Sequence, residues 1–191
     1  MDTVRAFIAI DMPKSVVELI RCKQDALRKE GFRMRWVSPE NVHLTLRFLG
    51  DISNDDIDGI RQAVENTAAK CAPPSIFAKG MGVFPKRGDP RVVWIGLGGE
   101  LDALAEIYRL LNECLAEKGI PPEKRPFKGH LTIGRIKGRI AAENLRSHLE
   151  IHGDVQGNPF KASRVCLYKS DLTPGGAVYT TLARVEMKRQ D

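Results

Sequence analysis

Several features that would assign a function at once are missing from this 191-residue sequence. The four cysteines are far apart and never form a CxxC pair, so no zinc knuckle or redox motif is present. No apolar run approaches the roughly 18 residues of a membrane span. No GxxxxGK[ST] phosphate loop occurs, and the KxDG sequence of adenylylating ligases is also missing, its nearest string being KSDL at 169–172. Nucleotide-dependent ligation is therefore not expected.

A secretory leader is also not indicated, because the first apolar run is short and is interrupted by Arg5 and Asp11. Together with the scattered cysteines, this predicts a reduced, cytoplasmic protein. Three cysteines fall in helix-like segments, where we expect buried free thiols. A hydrophobic content of 42% and a charged content of 28% are those of an ordinary globular protein.

The net charge is +6, which favours anionic partners, with nucleic acid first among them. The basic residues are spread along the chain and do not form a tail. We therefore expect a positively charged face or groove, and no disordered arm.

Strand-like and helix-like segments alternate through both halves of the chain. We infer from this alternation a two-lobed α/β or α+β body with internal pseudo-symmetry, with one HxTx strand in each half. Ser53–Asp56 resembles a capping box, and Gly50 is expected to close the strand before it. The predicted strands are 4–10, 33–37, 42–49, 76–84, 91–97, 130–136, 160–169 and 177–188, and the predicted helices start near 13, 57, 101 and 141.

One four-residue pattern occurs twice. HLTL at 43–46 returns as HLTI at 130–133, and the two copies use two of only four histidines. Two His-x-Thr triplets would arise about once in a hundred shuffles of this composition, before their apolar neighbours are considered. The repetition is therefore a signal and not chance.

On a strand, alternate side chains point to opposite faces. Each His and Thr would share a polar face, and the intervening aliphatic residues would lie under the helices. Two imidazoles with pKa values near neutrality can supply a base and an acid on opposite sides of a phosphate. Threonine hydroxyls can donate to its non-bridging oxygens. The candidate catalytic residues are His43 and His130, with Thr45 and Thr132 as phosphate ligands.

Paired HxTx motifs, the first within WVSPENVHLTLRFLGD and the second followed by Arg as HLTIGR, resemble those of the 2H phosphoesterase superfamily. Within it the chain is similar to the RNA 2',3'-cyclic phosphodiesterases, also called 2'-5' RNA ligases. The resemblance implies metal-independent hydrolysis of a 2',3'-cyclic phosphate to a 2'-phosphate, without a cofactor. It implies an α+β fold of two pseudo-symmetric lobes, each a mainly antiparallel sheet with helices on its outer face and the active-site cleft between them, with residues 1–191 as a single bilobal domain. It also implies that His43 protonates the leaving 3'-oxygen and that His130 activates water; the residues alone leave these two roles open. Any 2'-5' ligation would be the ATP-independent reverse reaction.

The implied partner is an RNA with a 2',3'-cyclic phosphate end, tRNA fragments included, and we expect a monomer with no membrane partner. Arg135 would support the phosphate, although in a flat strand it would face away from the cleft unless the chain bends near Gly134. Phe48 is expected in the core and not as a base-stacking platform. Further candidates for RNA binding are Phe84, Lys86, Arg87, Phe127 and Lys128.

Three other interpretations remain open from the sequence. A zinc site would need at least a third protein ligand, and no HxxH or HExxH pattern accompanies the two histidines. The chain could instead be a 2H enzyme for small cyclic-phosphate or 2'-5'-linked nucleotides, or an RNA-binding module without catalysis. His148 and His152 lie outside any motif and are expected at the surface.

Overall fold

The computed structural model describes residues 2–138 and 140–187. Four helices and nine strands are formed within these ranges. The helices are α1 (Lys14–Lys29), α2 (Ile57–Lys70), α3 (Leu101–Ala116) and α4 (Ala142–His152). The strands are β1 (Thr3–Asp11), β2 (Arg35–Trp36), β3 (His43–Ser53), β4 (Ser75–Phe84), β5 (Val92–Gly99), β6 (Leu131–Arg135), β7 (Phe160–Lys161), β8 (Arg164–Thr173) and β9 (Gly176–Glu186).

The element order agrees with the sequence prediction, and the differences lie at the boundaries. β3 does not end at Gly50 but continues to Ser53, because Gly50 adopts a φ of 73° that keeps the strand going through an irregular step. Ser53 then forms the predicted capping box with Asp56. The segment predicted as one strand at 160–169 is split into β7 and β8, and Lys188 of the last predicted strand lies outside the described residues.

The strands form one sheet in the order β7-β4-β5-β6-β3-β1-β8-β9, with β2 also paired to β6, and every pairing is antiparallel. We call β3, β1, β8 and β9 the first lobe and β6, β5, β4 and β7 the second lobe. The lobes meet where β3 pairs with β6 through Leu44 and Leu131. The predicted α+β fold with two related lobes is confirmed, and the lobes share a continuous sheet.

One helix from each lobe crosses to the other. α1 follows β1 of the first lobe but contacts β6 of the second, where α4 contacts β4. α3 follows β5 of the second lobe but packs against α2, which contacts β8 and β9 of the first. Each helix pair covers one half of the same sheet face, so the opposite face is left for the polar side chains.

Alternation within the strands separates the core from that polar face. Ile8, Leu44, Leu131 and Ile133 are at most 1% exposed and belong to one hydrophobic cluster beneath the helices. Burial of such side chains stabilises the fold by about 1.5–3 kcal/mol each. The packing of these side chains under the helices fixes β3 and β6, and it therefore fixes the polar side chains on the opposite face of the same strands.

Among the described residues, no helix has both the length and the apolar character needed to cross a membrane. The thiols of Cys71, Cys114 and Cys166 are free and buried, whereas that of Cys22 is exposed. The expectation that Cys22 is buried is wrong. Cys22 lies on the solvent side of α1, whereas Ile20 and Gln24 lie on its buried side.

Candidate active site

The two His-x-Thr segments lie side by side at the centre of the sheet. β3 and β6 pair antiparallel through Leu44 and Leu131, the residues that directly follow the two histidines. Both leucines are buried, and the side chains on either side of them are half-buried on the opposite face. The junction of the lobes thus brings four polar side chains to one face: His43, Thr45, His130 and Thr132.

The two imidazoles are held by the same hydrogen bond. His43 Nδ1 lies 2.8 Å from the carbonyl oxygen of Asn41, and His130 Nδ1 lies 2.7 Å from that of Lys128. A carbonyl oxygen only accepts, so Nδ1 must carry hydrogen in both rings. Nε2 is therefore the nitrogen that exchanges protons, and each ring can serve as base when neutral or as acid when charged.

His43 sits in an aromatic environment. Its ring stacks on Phe7 at a centroid distance of 4.5 Å, and Tyr179 approaches it edge-on at 5.4 Å. Burial lowers the pKa of His43, and the positive charge of Arg135 acts in the same direction. The hydrogen bond to the preceding carbonyl and the charge of Asp11 partly oppose this effect.

The residues around the His43 ring are in turn held by contacts with one another. Asp11 pairs with His43 across β1 and β3, and its carboxylate accepts a hydrogen bond from the Tyr168 hydroxyl. Tyr168 stacks on Phe7 at 5.3 Å. Phe7, Tyr168 and Tyr179 had no signal in the sequence, because they come from strands that carry no motif.

His130 has a different neighbourhood. Phe84 meets its ring edge-on at a centroid distance of 5.1 Å, and Trp94 lies 5.1 Å from Phe84. Lys86 and Arg87 follow Phe84 in the exposed turn between β4 and β5. Three of the predicted RNA-binding residues therefore lie on the segment that contacts His130.

The other two candidates for RNA binding, Phe127 and Lys128, precede His130 in the chain. Lys128 is exposed, and its carbonyl oxygen holds the His130 ring. Phe127 stacks on Tyr108 of α3 at 4.6 Å and packs against the core. This packing uses one face of the Phe127 ring.

The second HxTx motif ends in a bulge. Trp94 of β5 pairs with Thr132, but the next pair joins Val93 to Gly134, so Ile133 is an extra residue. An extra residue shifts the alternation of a strand by one position. Consistent with this, Ile133 and Gly134 are both buried in succession.

The bulge decides where Arg135 points. In a regular strand Arg135 would lie on the opposite face from His130, but after the bulge it returns to the same face. Its charge lowers the pKa of both His43 and Tyr179, although burial raises the pKa of Tyr179 overall. The bend near Gly134 that the sequence required is present.

The first motif also ends in a bulge. Ala9 of β1 pairs with Thr45, and Ile8 pairs with Arg47, so Leu46 is the extra residue. Leu46 and Arg47 are both buried in succession. The two lobes thus repeat the same irregularity at the same distance from their histidines.

This second bulge brings Phe48 to the cleft face. Phe48 lies across from Phe7, which stacks on His43. Its side chain is 59% exposed, so the expectation that it belongs to the core is wrong. By position it is the first-lobe counterpart of Arg135, since each lies five residues after its histidine.

Gln24 of α1 supports the bulge in β6. Its Nε2 donates to the carbonyl oxygens of Val37, at 2.7 Å, and Ile133, at 2.8 Å, and the residue is fully buried. We expect Gln24→Leu to lower the free energy of unfolding by about 1–3 kcal/mol, because the carbonyl oxygen of Val37 loses the Gln24 donor and that of Ile133 keeps only the Val37 N–H. Thermal or urea unfolding measures this change.

The matched control is Gln62→Leu on the exposed face of α2, where Gln62 donates a hydrogen bond to Asn66. Surface substitutions of this kind usually change stability by less than about 0.5 kcal/mol. Equal stability of the two variants would contradict the role assigned to Gln24.

The side chains of the site that could bind a metal ion are imidazoles and hydroxyls, and no cluster of carboxylates accompanies them. Among residues 2–138 and 140–187, no group of three or more His, Cys, Asp or Glu side chains is placed to hold a metal ion. His148, half-buried rather than at the surface, meets Phe32 edge-on at 5.4 Å. The side chain of His152 lies outside the described set.

Comparison with known proteins agrees with this geometry. The family model described as LigT-like phosphoesterase matches residues 10–94 and again residues 97–179, so each match contains one HxTx motif. The chain is 33% identical to the RNA 2',3'-cyclic phosphodiesterase of Methanothermobacter thermautotrophicus over 94% of this chain and 96% of the relative. It is 34% identical to the protein of the same name from Methanocaldococcus jannaschii over 94% and 98%.

A solved structure shows the same fold. The protein TT0787 of Thermus thermophilus superposes with a TM-score of 0.81 at 28% identity, covering 96% of this chain and 97% of the other. Near-complete coverage in both directions means that the two chains share the whole arrangement of lobes, not only one of them.

Proposed function

Because the chain belongs to the LigT-like phosphoesterase family, we propose that it hydrolyses RNA 2',3'-cyclic phosphate ends to 2'-phosphates without a metal ion. The observation that carries the proposal is the pair of equally held histidines, His43 and His130, on adjacent strands. Two relatives aligned over nearly their full length are named for this activity. Residues 1–191 would then be one bilobal catalytic domain.

In the proposed reaction, His130 Nε2 takes a proton from water as the water oxygen attacks phosphorus. The bond from phosphorus to the 3'-oxygen breaks, and His43 Nε2 donates its proton to that oxygen. The products are a 2'-phosphate and a free 3'-hydroxyl, and proton exchange with solvent returns both rings to their starting states. Each proton transfer contributes about 10²–10⁴ to the rate.

The phosphate itself would be held by Thr45, Thr132 and Arg135. Two hydroxyls and one guanidinium match the non-bridging oxygens, whose negative charge grows in the transition state. A bound phosphate anion also favours the charged form of His43, against the lowering of its pKa by burial. The same groups working in reverse would give ATP-independent 2'-5' ligation.

The wider setting of the proposal is a cytoplasmic monomer that acts on RNA fragments, including tRNA fragments. A net charge of +6 suits a polyanionic substrate. Buried, unpaired thiols suit a reducing compartment.

Incubation of a short oligoribonucleotide 2',3'-cyclic phosphate with the protein in EDTA tests the proposal. We expect a 2'-phosphate product, identified by its resistance to a 3'-specific phosphatase. A 3'-phosphate product would keep the two-histidine chemistry but reverse the orientation of the ribose. Binding of the RNA without turnover would overturn the proposal in favour of a binding module.

Phe48 is a candidate stacking platform for a base, since it is an exposed ring on the cleft face. We expect Phe48→Ala to lower kcat/KM for an RNA end about tenfold, because stacking on an aromatic side chain contributes about 1–3 kcal/mol per base. Phe48→Tyr should retain most activity. Steady-state kinetics on the same oligonucleotide measure both variants.

Ile151→Ala is the control for loss of an exposed apolar side chain, because Ile151 is 72% exposed and lies on α4, away from the cleft face. Its kcat/KM should stay at the wild-type value. If Phe48→Ala behaved in the same way, Phe48 would have no part in substrate binding.

A further inference from the structure

Two arginines face each other at the outer end of the cleft. β2 pairs with β6 so that Arg35 lies directly across from Arg135. Both residues are exposed, and paired residues on neighbouring strands share one face of the sheet. Since the bulge in β6 turns Arg135 to the cleft face, Arg35 points there as well.

The neighbours of Arg35 agree with this direction. Trp36, the next residue, lies on the helix side, where the Arg28 guanidinium of α1 stands 4.8 Å from its ring. On the other side, a Cβ added to Gly176 would lie 4.0 Å from Arg35 Nη2. Gly176 opens β9, the strand whose Tyr179 contacts His43, so the Arg35 guanidinium borders the same cleft.

Like charges placed directly opposite each other on neighbouring strands destabilise a sheet. Within the described part of the chain, neither Arg35 nor Arg135 has a carboxylate at ion-pair distance. The pair is therefore a site of uncompensated charge, and anions are the groups that would relieve it.

The cyclic phosphate alone cannot neutralise both arginines. A cyclic phosphate diester carries one negative charge, whereas Arg35 and Arg135 carry two positive charges. RNA offers one further charge at each linkage. β2 and β3 both pair with the edge of β6 opposite β5, so Arg35 lies one strand spacing, about 4.8 Å, from Arg135 on the side of the first lobe.

We propose that Arg35 binds the phosphodiester on the 5' side of the terminal nucleoside, while Arg135 binds the cyclic phosphate. This inference rests on the proposed function and adds a specificity determinant to it. The enzyme then prefers an oligonucleotide end over a nucleoside 2',3'-cyclic phosphate because only the former fills both guanidinium sites.

The test compares two substrates, adenosine 2',3'-cyclic phosphate and adenylyl-(3'→5')-adenosine 2',3'-cyclic phosphate. We expect Arg35→Met to raise KM for the dinucleotide about tenfold, as for loss of a hydrogen bond between charged groups, and to leave the mononucleoside unchanged. The slope of log(kcat/KM) against log[salt] for the dinucleotide should become shallower by about 0.7, the value for one phosphate contact on a single strand.

Arg61→Met on α2 is the control for loss of one positive charge, and thermal unfolding verifies that both variants are folded. Equal losses on both substrates would overturn the inference, because Arg35 would then act on the cyclic phosphate or on the fold. Unchanged kinetics on both would overturn it as well. Failure of the wild-type protein on both substrates would instead refute the proposed function, which separates the two conclusions.

Discussion

Replacement of His43 or of His130 by alanine is expected to lower kcat/KM for an RNA 2',3'-cyclic phosphate by at least about 10²-fold, since each variant loses one proton transfer. The two variants should fold normally, because both rings are half-buried on the cleft face and not in the core. The measurement is steady-state hydrolysis, with unfolding curves to verify the fold.

The double variant should be little worse than either single one, as found for residues that act together in one step. Added imidazole should restore part of the activity of the His130 variant, because a free base can reach an opened site. His148→Ala is the control, since His148 lies near α1 and contacts Phe32. Wild-type rates in either cleft variant would refute the two-histidine mechanism.

Arg135→Met is expected to lower kcat/KM about 10²-fold, the typical loss when one charge-stabilising donor is removed from a reacting group. Arg135→Lys should recover part of this, because it keeps the charge but loses the planar fork. Arg135→Met also tests which histidine is the acid and which is the base, through the pH dependence of kcat/KM.

Burial is the main reason that the pKa of His43 is lowered, and Arg135 lowers it further. Removal of Arg135 therefore raises the pKa of His43. If His43 is the proton donor, activity is lost when it deprotonates, and the basic limb of the pH–kcat/KM profile moves to higher pH in Arg135→Met. If the acidic limb of the profile moves to higher pH instead, His43 is the base and the two roles are exchanged.

The repeated HLT pattern was sufficient to predict that His43, Thr45, His130 and Thr132 share one polar face, because strand alternation requires nothing beyond the local sequence. The positions of Phe48 and Arg135 were not predictable in this way. Each depends on an extra residue, Leu46 or Ile133, that exists only relative to the register of a partner strand. Exposed Phe48 and cleft-facing Arg135 are both consequences of those bulges.

The element order and the two-lobed α+β arrangement were also predictable from periodicity and from the resemblance. The exchange of helices was not, since periodicity shows that a helix has an apolar face but not which sheet it covers. The opposition of Arg35 and Arg135 was hidden for a similar reason: 100 residues separate the two positions, and only the pairing of β2 with β6 joins them.

The exchanged helices have a consequence for how the chain reaches its native state. Gln24 and Ile133 are 109 residues apart in sequence, yet they are hydrogen-bonded in the core. A nascent chain cannot close that contact until β6 has left the ribosome, so α1 remains without its packing surface during most of synthesis. Folds dominated by such distant contacts form slowly. α1 packs on β6 of the second lobe and α3 packs on the α2 helix that covers the first, so we expect the two lobes to fold together and each half alone to be unstable.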